Sequence, residues 1–178
     1  MLDSNKNYKT RGDVYRDIVP GRVVVEVGVF IGDNAKAILR SKPTYLYLMD
    51  TWLGKAASGD ENGKNRQQAN LPHIRKSLER ELYGEPVSFL GPSPDGFKDI
   101  DIEPDFIYID ADHTYPAVMR DLTHAYQLLK NRRTILGGHD YHKNTPGVRD
   151  AVDDFIKAYD LRQPVLTTND IPSYFIQL

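Results

Sequence analysis

The chain contains no cysteine. Disulfides, thiolate metal sites and cysteine nucleophiles are therefore excluded. No apolar run approaches the roughly 20 residues that a membrane-spanning helix needs. The opening stretch, MLDSNKNYKTRGD, is too polar for a signal peptide. An excess of charge of one sign is also missing: 23 lysines and arginines stand against 25 acids, a net charge of −2. That balance gives no electrostatic case for nucleic acid or an anionic membrane as a partner. Tryptophan occurs once, at Trp52, and the phosphate-binding pattern G-x-x-x-x-G-K-[ST] does not occur. These absences lead to the expectation of a soluble cytoplasmic protein. At 178 residues it reads as one domain over 1–178, long enough to bury well over half of its unfolded surface.

What is present begins with residues 23–32, VVVEVGVFIG. Three β-branched residues, then Glu26, then two glycines predict a short strand buried on both faces and cut off by a tight turn. Residues 33–40, DNAKAILR, switch to helical spacing with Ala35, Ile38 and Leu39 on one face. Strand, glycine turn and helix make the first half of a nucleotide-binding βαβ unit. Before it, residues 1–20 are polar, with Val14, Tyr15, Ile18 and Val19 enough for a turn or two of helix.

The alternation then repeats. Residues 44–50 (TYLYLMD), 86–90 (PVSFL), 105–110 (DFIYID) and 134–138 (TILGG) read as strands. Helices are expected over 71–83, from Thr114 onward with an apolar seam at Val118, Leu122, Ala125 and Leu129, and from Pro146 onward. Two final strands are expected in the tail, joined at Asn169-Asp170. Residues 53–70, polar and without periodicity, form either a mobile lid or an excursion with no role. Together these patterns predict an α/β fold with a mainly parallel sheet and helices on both faces.

Ligands of such sheets sit beyond the carboxyl ends of the strands. The predicted strand ends carry Glu26, Asp50, Asp110 and the pair His139-Asp140. So many acids at one rim repel one another unless cations or hydrogen-bond donors relieve them. A dinucleotide needs G-x-G-x-x-G, but here Phe30 and Asp33 occupy the second and third glycine places. Phe30 crowds a pyrophosphate and Asp33 repels it. The turn suits instead a ligand without phosphate, carrying an ammonium or sulfonium and a ribose.

The pattern E-V-G-x-x-x-G, with an acid closing the next strand, resembles the first two motifs of class I S-adenosylmethionine-dependent methyltransferases. IDADHTYPAVMRDL and GGHDYHKNTPGVRDAVDDF resemble a small branch related to macrocin O-methyltransferase. This resemblance implies a Rossmann-like, seven-stranded methyltransferase fold. It implies S-adenosylmethionine as cofactor and a small-molecule hydroxyl, on a sugar or phenol, as methyl acceptor. Glu26, Gly28, Phe30 and Gly32 would line the methionine part and Asp50 would hold the ribose. Trp52 would flank the adenine or cover the sheet edge. Ser93 falls at the family's adenine contact, or is an ordinary turn residue; Pro92 stands where the family often has an acid. Asp110 with His139 and Asp140 would hold a divalent cation, Mg²⁺ or Mn²⁺, unless His139-Asp140 is only a hydrogen-bonded pair. Asp112 or His113 would take the acceptor's proton. With so little chain ahead of the first strand, Tyr115, Tyr141, His142, residues 53–70 or a neighbouring subunit of a homodimer would close the acceptor pocket. A nucleoside-binding protein without catalysis and a metal-dependent hydrolase-like enzyme are the alternatives.

Overall fold

The structure, a computed structural model, describes residues 2–53, 70–82, 86–130 and 132–178. The first expected strand is β1 (Val23–Val27), buried at all five positions. It pairs in parallel with β2 (Tyr45–Met49) on one side and with β4 (Phe106–Ile109) on the other. Beyond β2 lies β3 (Val87–Leu90), and beyond β4 lies β5 (Ile135–Gly138), both parallel. β7 (Tyr174–Gln177) then runs antiparallel between β5 and β6 (Val165–Leu166). The sheet order is β3-β2-β1-β4-β5-β7-β6. It is the expected seven-stranded, mainly parallel sheet of an α/β fold. The chain winds outward from β1 through β3, then crosses back to β4, which puts a topological switch point between β1 and β4.

Each face of the sheet buries its own core. Val23, Val25 and Val27 face α4 (Tyr115–Leu129) and α5 (Pro146–Ala158), whose Leu122, Ala125, Val152 and Phe155 are buried there. Val24 faces the opposite core, with α1 (Arg11–Ile18), α2 (Asp33–Arg40) and α3 (Leu71–Leu82). Each fully buried valine contributes about 1.5–3 kcal/mol, so β1 anchors both layers at once. α1 begins where it does because of a capping box: the Asp13 N–H donates to Thr10 Oγ1, and the Thr10 N–H donates to Asp13 Oδ2. That cap sets Arg11 as the first helical residue, facing the sheet.

Of the expected loop at 53–70, residues 54–69 lie outside the described residues. Leu53 and Asn70, at its two ends, form an isolated antiparallel bridge. Among the described residues no helix is long and apolar enough to cross a membrane.

Candidate active site

The parallel strands bring the carboxyl ends of β1, β2, β4 and β5 to one rim. Gly28 leaves β1 with φ +88°, and a Cβ there would lie 2.1 Å from the Asp110 carbonyl oxygen. The glycine is required because the end of β4 passes against it, a stronger constraint than the ligand approach that its motif implies. A cavity of about 780 Å³ opens over this turn, within the usual range for small-molecule sites. Glu26, Gly28, Phe30, Asp50, Ser93, Asp110, Asp112 and His113 all line it, whereas Gly32, Trp52, His139 and Asp140 do not.

Glu26 is wholly buried on β1. Its Oε1 accepts from Asn34 Nδ2 at 3.1 Å, and Asn34 Oδ1 accepts from the Tyr15 hydroxyl at 3.0 Å. Oε2 has no partner among the described residues. Burial pushes the Glu26 carboxyl up to about 8, against the bond from Asn34. A cation entering beside Oε2 would reverse that penalty.

Asp50 fastens the turn. Its Oδ2 accepts the N–H groups of Val29 (2.8 Å) and Phe30 (3.2 Å), and its Oδ1 accepts those of Trp52 (3.0 Å) and the Thr51 hydroxyl (3.2 Å). Phe30 (φ +51°), Trp52 (+56°) and Asp140 (+60°) are non-glycine residues in the left-handed region. Such conformations are costly and gather at functional sites; here one follows each of β1, β2 and β5. Trp52 turns away from the cavity, its indole N–H donating to the Leu90 carbonyl at 2.6 Å and its ring edge-on to Phe89. Ser93 lies beside Asp121, an acid on α4 that is 1% exposed and whose Oδ2 is unpartnered. Burial pushes the Asp121 carboxyl up, eased by Ser93 and Arg120.

At β4 and β5 the charges crowd together. One donor atom each from Asp110, His139 and Asp140 lie within 4.8 Å of one another. His113 Nε2 sits 3.1 Å from Asp140 Oδ2 and 3.7 Å from Asp110 Oδ1, while His139 Nδ1 is 3.2 Å from Asp140 Oδ2. The contact with Asp110 holds the His113 imidazolium above its usual range despite burial, and the charge of Asp140 adds to it. Burial works against ionisation of Asp140, yet the hydrogen bond and charge of His139, with His113 and Arg11, keep its carboxyl below the usual range. The loop carrying His113 is pinned by α5: a Cβ on Gly147 would lie 2.4 Å from the His113 carbonyl oxygen.

Asp112 Oδ1 accepts the Thr114 N–H at 2.8 Å ahead of α4. Tyr115 and Tyr141 donate to Asp154 and Asp153 of α5 and do not line the cavity. His142 Nδ1 accepts the Asn144 N–H within its own turn.

A family model described as "Methyltransferase domain" matches residues 25–141, well over half of the chain. The chain belongs to this methyltransferase family. No curated protein matches it in sequence. Its fold is similar to that of an O-methyltransferase from Bacillus cereus solved with SAH, at 17% identity and a TM-score of 0.66, covering 99% of this chain and 84% of that one. The O-methyltransferase TomG from Streptomyces achromogenes, solved with SAM, gives 14% identity, a TM-score of 0.67 and coverage of 94% and 78%. A precorrin-8w decarboxylase from Methanobacterium thermoautotrophicum gives 12% identity, a TM-score of 0.62 and coverage of 99% and 98%. At such identities the likeness shows the fold alone.

In this methyltransferase domain the sequence motifs do not single out Arg11, Asn34 or Asp121. Each left a signal. The capping box T-R-G-D fixes α1 and hence Arg11, and Asn34 falls in the first turn of α2 beneath β1. Asp121 is an acid three residues after Val118, inside the apolar seam of α4.

Proposed function

We propose that this protein transfers the methyl group of S-adenosylmethionine to a hydroxyl of a small molecule such as a sugar or phenol. The observation that carries the reading is the unpartnered, buried Oε2 of Glu26 beside a phosphate-excluding turn. Burial keeps that carboxyl protonated in the empty cavity, and the α-ammonium of S-adenosylmethionine supplies the cation that lets it ionise, without bringing phosphate. The neighbours solved with SAH or SAM support the same ligand, and the DADH and GHDY motifs support the macrocin-related branch.

When bound, S-adenosylmethionine supplies a sulfonium methyl whose transfer leaves a neutral thioether. The residues of this chain then have separable tasks. Glu26 and the turn after Gly28 hold the amino-acid end, and Asp50, whose oxygens already hold the turn, meets the ribose by exchanging its bond from the Thr51 hydroxyl for one from a ribose hydroxyl. His113 in its neutral form takes the hydroxyl proton as the acceptor oxygen bonds to the methyl carbon. Asp110 and Asp140 stabilise the resulting imidazolium, the division of labour seen in acid–histidine catalysis generally.

The donor set of Asp110, His139 and Asp140 also fits a divalent cation, and its imidazole favours Mn²⁺ over Mg²⁺. When bound, such a cation lowers the pKa of a coordinated hydroxyl. Arg11 and His113 already face these carboxylates, so a cation has to share or displace them.

Isothermal titration with S-adenosylmethionine and S-adenosylhomocysteine, with and without Mn²⁺ or Mg²⁺, tests binding. Transfer of labelled methyl to a panel of hydroxylated metabolites tests the reaction. Binding with no transfer to any acceptor reduces the protein to a nucleoside-binding domain. Metal binding without nucleoside binding favours the hydrolase-like alternative.

A further inference from the structure

We infer that the methyl acceptor is a hydroxy acid, whose carboxylate is held by Arg11 of α1 while its hydroxyl lies at His113. This deepens the reading of the site as one that methylates a hydroxyl and rests on it.

Arg11 lines the cavity together with Asp110 and His113, and its side chain is 30% exposed there. Its Nη1 reaches the Tyr108 hydroxyl and Asp110 Oδ2, both at 3.3 Å, and the Tyr108 hydroxyl is itself 2.9 Å from that of Ser173. That end of the guanidinium is therefore anchored. Nε and Nη2 have no acceptor among the described residues. These two nitrogens form one edge of the planar group, spaced to meet both oxygens of a carboxylate. Leaving a partly buried edge unused costs free energy that an incoming anion recovers. Arg120, the other arginine of the lining, spends its Nε on Asp121 at 3.1 Å, which breaks the same edge there.

Asp110 links Arg11 to the proton acceptor. Its Oδ2 faces Arg11 at 3.3 Å and its Oδ1 faces His113 Nε2 at 3.7 Å. An anion on Arg11 and a hydroxyl at His113 thus flank one carboxylate, a span within reach of one small molecule. The cofactor's own carboxylate has another place, since α2 begins at Gly32 without a side-chain cap and leaves its first N–H groups for an anion. Asp50, Asp110 and Asp112 line the same cavity, and they repel a phosphate dianion more than a singly charged carboxylate. In the transfer, the acceptor's hydroxyl oxygen bonds to the methyl carbon as the bond from that carbon to sulfur breaks. The hydroxyl proton passes to His113, and the carboxylate stays on Arg11 unmethylated.

Labelled-methyl transfer on the full chain compares 3-hydroxybenzoate with 3-hydroxybenzamide, and glucuronate with glucuronamide and glucose 6-phosphate. Each carboxylic acid should react with a kcat/KM about 10- to 100-fold above its amide, as expected for a charged hydrogen bond, and should yield a methyl ether. In Arg11→Ala that preference should vanish through a raised KM for the acid. Calorimetry should find the S-adenosylhomocysteine affinity of this variant within about twofold of the parent, as for an independent site. The comparison of acid and amide on the parent needs no variant, so a poorly folding Arg11→Ala leaves the inference open to refutation. It is overturned if the amides react as readily as the acids, if glucose 6-phosphate is preferred to glucuronate, or if the product is a methyl ester. It is overturned too if Arg11→Ala weakens S-adenosylhomocysteine as much as it raises the KM of the acid, which assigns the guanidinium to the cofactor. A parent that does not bind S-adenosylhomocysteine brings down the methyltransferase reading itself. A parent that binds it and methylates only neutral hydroxyls brings down the hydroxy acid alone.

Discussion

The two halves of the rim solve the same electrostatic problem in opposite ways. Around β1, a single carboxylate is buried, held from one side by Asn34 and Tyr15, and left with one oxygen unpaired. Around β4 and β5, the carboxylates of Asp110 and Asp140 are partly exposed and shared among His113, His139 and Arg11. The first arrangement is costly when empty and is relieved by a cation from outside. The second carries its own counter-charges. The proposed function therefore assigns binding energy to the β1 half and proton movement to the β4–β5 half.

The harshest way to break this division is to force the halves apart. Gly28→Ala sets a Cβ against the Asp110 carbonyl at a positive φ, and should cost about 3 kcal/mol or more of stability. Chemical denaturation measures it; an unchanged midpoint would mean that the two strand ends do not touch. His113→Gln should lower kcat about 100-fold, within the usual range for a general base, and leave S-adenosylhomocysteine affinity unchanged. If affinity falls as far as kcat, the separation of roles is wrong.

Glu26→Gln should act in the reverse sense, weakening S-adenosylhomocysteine about tenfold as a charged contact is lost. It also carries a pH signature. The folded carboxyl sits at about 8 against an ordinary 4.5. The unfolded chain therefore gives up its proton first as the pH rises. The Glu26 contribution to stability is fullest below 4.5, declines as the pH climbs toward 8, and is level above it. The thermal midpoint of Glu26→Gln should accordingly gain on that of the parent between pH 5 and 8. At pH 7, ligand binding to the parent should release a proton that the variant does not, read by calorimetry in buffers of different ionisation enthalpy. The smallest effect is expected for Trp52→Phe, which loses one hydrogen bond to Leu90 for about 1 kcal/mol and leaves nucleoside affinity intact. A large loss of affinity would place the indole against the ligand after all.

The β1 half was the more legible from sequence. VVVEVGVFIG names its strand, its acid and its turn in one contiguous stretch, and residues 33–40 name the helix to the residue. Local spacing carries that information because each part acts on its neighbours in the chain. The β4–β5 half was legible only in composition. DADH and GHDY identify the acids and histidines, but which imidazole meets which carboxylate depends on how two loops face each other. Asp112 shows the limit: an acid in a family motif, yet its carboxylate satisfies the Thr114 N–H while His113 turns to the cluster. The capping box places Arg11 on α1, but its role was not legible, since its partners Tyr108 and Asp110 lie far along the chain.

The Tyr108 hydroxyl stands between Arg11 Nη1 and the Ser173 hydroxyl, the latter at 2.9 Å. One phenol thus ties together three segments far apart in the sequence, at residues 11, 108 and 173. During synthesis on a ribosome, the β1 turn emerges early, yet the pocket wall behind Arg11 is unfinished until β7 has slotted in beside β5. Ligand capture should follow synthesis of β7, and a nascent protein stalled before Ser173 should pass through a nucleoside affinity column without being retained.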